Sequence, residues 1–182
     1  MSQKEIGKKL VFEGKLFRIW QSENEFGDGR RATYEYTEHK NGSVAAVVLD
    51  DNQNIYLTKE FRVALDQTTV NLPAGGFDPK KETPENAIVR ELREEIGKKP
   101  NRVEKLFNLQ GGGSWIWPQY FFLCTDLKNA PLAGDWDEDI EVIKMPFREY
   151  LTGILSGKAS RHGDFKAAIL TAKKLGLIEL KQ

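Results

Sequence analysis

A single cysteine, Cys124, stands among the 182 residues, so no intramolecular disulfide can staple the fold. Its setting, Tyr120-Phe121-Phe122-Leu123-Cys124, reads as a buried strand position rather than a nucleophile. Net charge is also absent, since 27 basic and 27 acidic residues cancel. Without a basic block there is no electrostatic case for nucleic-acid binding, although a local patch around a phosphate site stays possible in principle. No apolar run approaches membrane-spanning length, and the opening Met-Ser-Gln-Lys-Glu-Ile-Gly-Lys-Lys lacks an apolar signal core. The expected address is the cytoplasm by default, with leaderless export left open. Internal repeats and low-complexity tracts are missing too, and 182 residues suit one domain or a compact domain plus a small appended sheet.

What is present alternates between strand and helix patterns. Leu10–Trp20 and Arg31–Tyr36, broken by Gly27-Asp28-Gly29, read as an antiparallel N-terminal sheet. Ser43–Leu49 and Ile55–Thr58, joined by Asp50-Asp51-Asn52-Gln53-Asn54, read as a hairpin of core strands. A strand pair is expected near Val103–Leu109 and Tyr120–Asp126, a strand at Ile140–Lys144, and helices near Arg148–Ser156 and Asp164–Leu175. Strands and helices without a strict βαβ rhythm predict an α/β fold, with α/β/α layers around a mixed sheet. The expected division is an N-terminal antiparallel sheet over residues 1–40 and a main domain over 41–182.

Between these lies Gly76-Phe77-Asp78-Pro79-Lys80-Lys81-Glu82, followed by Arg90-Glu91-Leu92-Arg93-Glu94-Glu95-Ile96-Gly97. Ile88, Leu92 and Ile96 recur every fourth residue, and Thr83-Pro84 supplies a cap with proline in the first turn, which predicts a helix over Asn86–Ile96. Glu91, Glu94 and Glu95 then share one face. Like charges at such spacings destabilise a helix by roughly 0.2–0.5 kcal/mol per pair, so the cluster needs compensation. Arg90 and Arg93 offer one source; a divalent cation offers another. All-oxygen ligation with no histidine or thiol nearby suits Mg²⁺ or Mn²⁺ rather than zinc.

As a whole the segment resembles the Nudix box, G-x5-E-x7-R-E-U-x-E-E-x-G-U with U apolar, from Gly76 through Gly97. Only the last position departs, where Lys98 replaces the apolar residue that helps pack the following strand. The resemblance, which extends over roughly residues 10–175, implies a Nudix-type sandwich and a Mg²⁺-dependent hydrolase in which Mn²⁺ can substitute. It implies Glu91, Glu94 and Glu95 as metal ligands, the Gly75 carbonyl as a backbone ligand, and Glu82 as an added carboxylate or a hydrogen-bond partner of the cluster.

Flanking segments resemble the branch that hydrolyses ADP-ribose and other nucleoside diphosphate sugars. Lys59-Glu60-Phe61-Arg62 stands where that branch has Q-x-R, Leu72-Pro73-Ala74-Gly75 matches its L-P-A-G, and Asp137-Glu138-Asp139-Ile140 matches its late acidic loop. In that loop Glu138 is the candidate general base and Asp137 the alternative. Arg62 has a guanidinium fork that matches phosphate oxygens, a surface ion pair being the competing reading. Trp20, Tyr34 and Tyr36 are candidates for stacking on a nucleobase, and equally candidates for packing. Asp164-Phe165-Lys166 resembles a pattern of nucleoside diphosphate sugar hydrolases and is expected to face the sugar end, although Asp164 is also an ordinary helix N-terminal acid.

One segment departs from the ADP-ribose pattern: Gln110-Gly111-Gly112-Gly113-Ser114-Trp115 replaces a Ser-Pro-Gly loop and its glutamate. Its glycines suit a flexible loop, a close approach to a ligand, or a plain turn. The expected activity is hydrolysis of nucleoside diphosphate sugars to nucleoside monophosphate and sugar phosphate. A strict ADP-ribose pyrophosphatase and a non-catalytic binding or sensor module are the alternatives. The resemblance also implies a homodimer formed through the N-terminal sheet, whose edges want a partner.

Overall fold

The computed structural model describes residues 2–134, 136, 139–158 and 162–179. Central to it are two strands that read as apolar runs, β4 (Gly42–Leu49) and β9 (Trp115–Asn129), paired in parallel with Ala45 opposite Phe121 and Val47 opposite Leu123. Successive side chains point to opposite faces, so a strand covered on both faces must be apolar throughout its covered length. Val44, Ala46, Val48, Phe122 and Cys124 face the helix α1 (Pro84–Glu95), where Ala87, Ile88 and Leu92 meet them. Ala45, Val47, Leu49, Phe121 and Leu123 face the other way, onto α2 (Phe147–Gly153) and α3 (His162–Lys174). The α/β/α sandwich follows from this alternation. Burial pushes the Cys124 thiol up to about 12, which keeps it protonated and inert.

Around this centre the sheet runs β1-β2-β3-β9-β4-β5-β10, with β8 on β9, β7 on β4 and β6 on β5. The N-terminal meander consists of β1 (Gln3–Glu13), β2 (Phe17–Phe26) and β3 (Arg31–His39). It joins the main sheet through a short parallel pairing of Thr37 and Glu38 with Trp115 and Ile116. The expected strand over Leu10–Trp20 is therefore two strands, because the chain turns at Gly14, whose N–H donates to the Phe17 carbonyl at 2.8 Å. The three-glycine segment is a plain hairpin turn between β8 (Lys98–Gly112) and β9. Gly111 has φ +132°, and a Cβ there would lie 2.2 Å from the Trp115 carbonyl oxygen, so only glycine fits.

Three further strands position the site. β5 (Asn54–Arg62) pairs with β4 only at Val48 and Leu49, while β7 (Ala74–Phe77) pairs with the first half of β4. β6 (Gln67–Asn71) folds back on β5. One edge of β4 is thus shared between two strands, and Leu72-Pro73 crosses where they part, with the Pro73 carbonyl accepting the Ala46 N–H at 3.1 Å. On the other edge of β5 lies β10 (Glu141–Pro146), antiparallel to it.

Candidate active site

The helix of the acidic cluster starts at Pro84 because the hydroxyl of Thr83 accepts the Asn86 N–H at 3.2 Å, and proline in the first turn has no N–H to satisfy. It stops at Gly97, whose φ of +68° is the left-handed conformation that closes a helix. Ile88 and Leu92 fix the rotation of the helix against the sheet, and that rotation carries Glu91 inward until it is 8% exposed. A carboxylate this buried must be partnered.

Arg90 is the first partner. One Nη donates to Glu91 Oε1 at 2.9 Å and Glu94 Oε2 at 2.8 Å; the other donates to Glu82 Oε1 at 2.7 Å and to the Gly76 carbonyl at 3.2 Å. Loop and helix are clamped by one guanidinium. The hydrogen bond that Glu82 accepts, with the charge of Glu91 and the hydrogen bond that Glu94 accepts, raises the Arg90 pKa further against its burial, so this cation is permanent. Arg93 does not take the same part: its Nε donates to the Ala130 carbonyl at 2.9 Å.

β7 is the second partner. Glu95 Oε2 accepts the Ala74 N–H at 3.0 Å, and a Cβ on Gly75 would lie 2.0 Å from Glu91 Cδ. The backbone of Ala74-Gly75 is thereby pressed against the carboxylates of Glu91 and Glu95, with Glu94 one guanidinium away. Among the described residues no three His, Cys, Asp or Glu side chains already converge as a ligand sphere. The donors that do lie together are hard oxygens from carboxylates beside a glycine backbone, a set that fits Mg²⁺ or Mn²⁺ and offers nothing to a soft metal.

Asp137 and Glu138 lie outside the described residues. The chain leading to them is anchored on the end of α1: the Ala130 N–H donates to the Gly97 carbonyl at 3.0 Å and the Leu132 N–H to the Arg93 carbonyl at 2.9 Å. Gly134 follows beside the Glu94 carbonyl, 3.7 Å from where a Cβ would stand. The described chain thus follows the C-terminal end of α1 as far as Gly134.

The substrate-contact candidates are dispersed. Arg62 ends β5 and pairs with Glu60 at 2.5 Å. Trp20 and Tyr36 sit opposite each other in the N-terminal sheet; Trp20 Nε1 donates to Glu38 at 2.7 Å, and Lys8 lies 4.3 Å and 5.2 Å from the two rings. Tyr34 and Tyr36 line a shallow hollow with Gln3, Ser22 and Asn24. Asp164 is 2% exposed, and its Oδ2 accepts the Leu72 N–H at 3.2 Å, whereas Lys166 lies 4.4 Å over the Phe107 ring. Asp164 and Lys166 therefore do not meet at one point.

A cleft of about 230 Å³ escapes sequence reasoning. Phe77, Pro79, Pro118 and Tyr120 line it with His39 and Gly42, so it adjoins the box loop directly. Phe77 and Tyr120 meet edge to face at 5.9 Å, and a Cβ on Gly42 would stand 2.4 Å from the Phe77 ring. Its walls come from separate segments, and no local pattern joins them.

Residues 39–168 match the NUDIX domain. The chain is 30% identical to an ADP-ribose pyrophosphatase of Bacillus subtilis over 156 residues, covering 83% of this chain and 82% of that protein. It is 32% identical to a GDP-mannose pyrophosphatase of Enterobacter sp. over 154 residues, covering 79% and 78%. A solved structure of an ADP compounds hydrolase superposes with a TM-score of 0.86 at 23% identity, over 97% of this chain and 95% of the other, and so has the same fold.

Proposed function

The chain belongs to the NUDIX family, and from that premise we propose that it is a Mg²⁺-dependent pyrophosphohydrolase that cleaves nucleoside diphosphate sugars to nucleoside monophosphate and sugar phosphate, with Mn²⁺ able to substitute. The observation that carries this reading is the union of β7 with α1, in which Ala74 binds Glu95 and Gly75 abuts Glu91. Relatives named for ADP-ribose and for GDP-mannose support a sugar-linked diphosphate as the substrate class.

Glu91, Glu94 and Glu95, with the Gly75 carbonyl, are the residues that would hold the cation. A divalent cation bound there would supply charge that neutralises diphosphate oxygens and would polarise phosphorus. Arg90 keeps Glu82, Glu91 and Glu94 in register with the loop. Glu138, or Asp137 in its place, takes the proton from the attacking water, so that one P–O bond forms as the bridging P–O bond breaks. The cleft beside Phe77 and Tyr120 offers apolar surface to a flat ring, with Glu38, Lys40 and Asn41 also on its lining as polar partners.

We also assign residues 1–40 to a dimer-forming sheet and 41–182 to the catalytic unit. Leu10, Val11, Phe12 and Phe17 are exposed on the N-terminal meander, and β1 lies at the sheet's edge, which supports a second copy as their cover. Light scattering at micromolar concentration should give twice the chain mass, and a monomer would remove this assignment.

The function is tested by incubating the purified protein with a panel of nucleoside diphosphate hexoses and ADP-ribose, with Mg²⁺ or with chelator, and scoring monophosphate release. Release across the panel only with metal is expected. Release from ADP-ribose alone would favour the stricter reading that the Bacillus subtilis relative suggests. Binding without hydrolysis on every substrate would place the chain among non-catalytic modules.

A further inference from the structure

We infer that Asp164 is a positioning residue for the metal-binding carboxylates, acting from the opposite face of the sheet through the backbone of residues 72–75. The inference rests on the reading that Glu91 and Glu95 hold the cation. α3 and α1 cover opposite faces of the β4–β9 pair, so nothing on α3 touches the cluster directly unless it works through the sheet.

The start of α3 is fixed in place. A Cβ on Gly163 would stand 2.2 Å from the Phe121 ring, so the first turn lies against β9 as closely as a bare backbone allows. Asp164 follows at 2% exposure and accepts the Leu72 N–H at 3.2 Å, across 92 residues of sequence. Leu72 is itself 1% exposed in the cluster that holds Ala167 and Ala168.

Beyond Leu72 the chain runs into β7, where Ala74 and Gly75 pair with Ala45 and Val44 of β4. Pro73 has no N–H, and its carbonyl is taken by Ala46 at 3.1 Å. The next N–H, on Ala74, donates to Glu95 at 3.0 Å, and the next residue, Gly75, lies against Glu91. Proline locks φ at residue 73 and its carbonyl is held by Ala46, so few torsions between Leu72 and Ala74 are left to absorb a shift of Leu72. Within four residues the chain accepts support from a carboxylate of α3 and from β4, donates to Glu95 and lies against Glu91. Releasing the α3 carboxylate leaves Glu95 and Glu91 less well aimed. Lys166, turned onto Phe107, has no part in this.

An apolar side chain could fill the volume of Asp164 but could not accept from Leu72. Asparagine could, because it keeps an acceptor oxygen at the same reach. The test is therefore calorimetric titration of Mn²⁺ into the unliganded protein, run on wild type, Asp164→Ala and Asp164→Asn, with Tm measured in chelator. Supporting residues behind metal ligands typically control affinity by about 10–100-fold, and Asp164→Ala is expected to weaken Mn²⁺ near the lower end of that range. Asp164→Asn should keep wild-type affinity. A residue that merely stabilises the fold would lower Tm and leave the Mn²⁺ affinity of the folded protein unchanged, and that result overturns the inference. Should the alanine variant fail to fold, Asp164→Glu replaces it: the added methylene should weaken Mn²⁺ while Asn does not, and equal affinities would again overturn the assignment. If wild type itself binds no Mn²⁺, the reading of Glu91 and Glu95 as ligands falls first, and this inference with it.

Discussion

Gly75→Ala isolates the geometry of the site from the stability of the fold. A Cβ on Gly75 would lie 2.0 Å from Glu91 Cδ and 2.1 and 2.3 Å from its oxygens, whereas ordinary contact begins at 3.4 Å. The difference, 3.4 less 2.0, means the carboxylate must retreat by 1.4 Å. Only the far end of a flexible side chain is in the way, and Gly75 is absent from the positive-φ positions, so the backbone need not move. Overpacking a rigid core costs about 1–3 kcal/mol, and a yielding side chain places this substitution at the bottom of that range. For a protein of this size about 1 kcal/mol corresponds to roughly 2–4 °C in Tm. Catalysis should respond far more, because a misplacement of about 1 Å typically costs on the order of 10²-fold, equivalent to about 2.7 kcal/mol in the barrier. The assay is kcat at saturating Mg²⁺ alongside Tm in chelator. A variant with wild-type kcat would refute the claim that Glu91 must stand where it does, and a Tm loss beyond 10 °C on the same scale would show that Glu91 is a packing residue instead.

Glu95→Gln keeps an acceptor for the Ala74 N–H but loses its charge, so it should remain folded, lose nearly all activity, and not recover with added Mn²⁺. Glu138→Gln should lower kcat by about 10²–10⁴-fold with KM little changed, as expected for a base acting in the transition state; if Asp137→Asn is the crippled variant, the base moves by one residue. Although burial alone would raise the pKa of Asp50, hydrogen bonds from Lys144 and Asn54 lower it from 3.8 to about 2. Its contribution to stability, on the order of 2 kcal/mol, is present above the unfolded value and is lost as pH falls through the folded one. Tm measured from pH 5 to pH 2 should therefore decline less steeply in Asp50→Asn than in wild type.

The box is legible in the sequence because everything that defines it is local. Thr83 caps a helix whose N–H groups lie within one turn, Gly97 ends it by its own φ, and Ile88 and Leu92 set the face that carries Glu91. β4 and β9 are legible for a similar reason, since burial on both faces demands an apolar run. β6 and β7 are not. Gln67–Asn71 and Ala74–Phe77 are strands by virtue of the strands they pair with, and Ala-Gly-Gly-Phe has no strand preference of its own.

The same division runs through the site. Spacing on one helix presents Glu91, Glu94 and Glu95, and reading them needs no other part of the chain. What aims them is remote: Ala74 and Gly75 lie some twenty residues upstream, and Asp164 lies 92 residues from the N–H it accepts. Asp164 therefore reads as an ordinary first-turn acid until the fold buries it, and Trp20 reads as a free aromatic until Glu38 and Lys8 arrive from neighbouring strands. Local pattern encodes which atoms can hold a cation, while register across the sheet encodes where those atoms stand. A substitution at Asp164 is therefore expected to alter metal affinity although no residue of the box has been replaced.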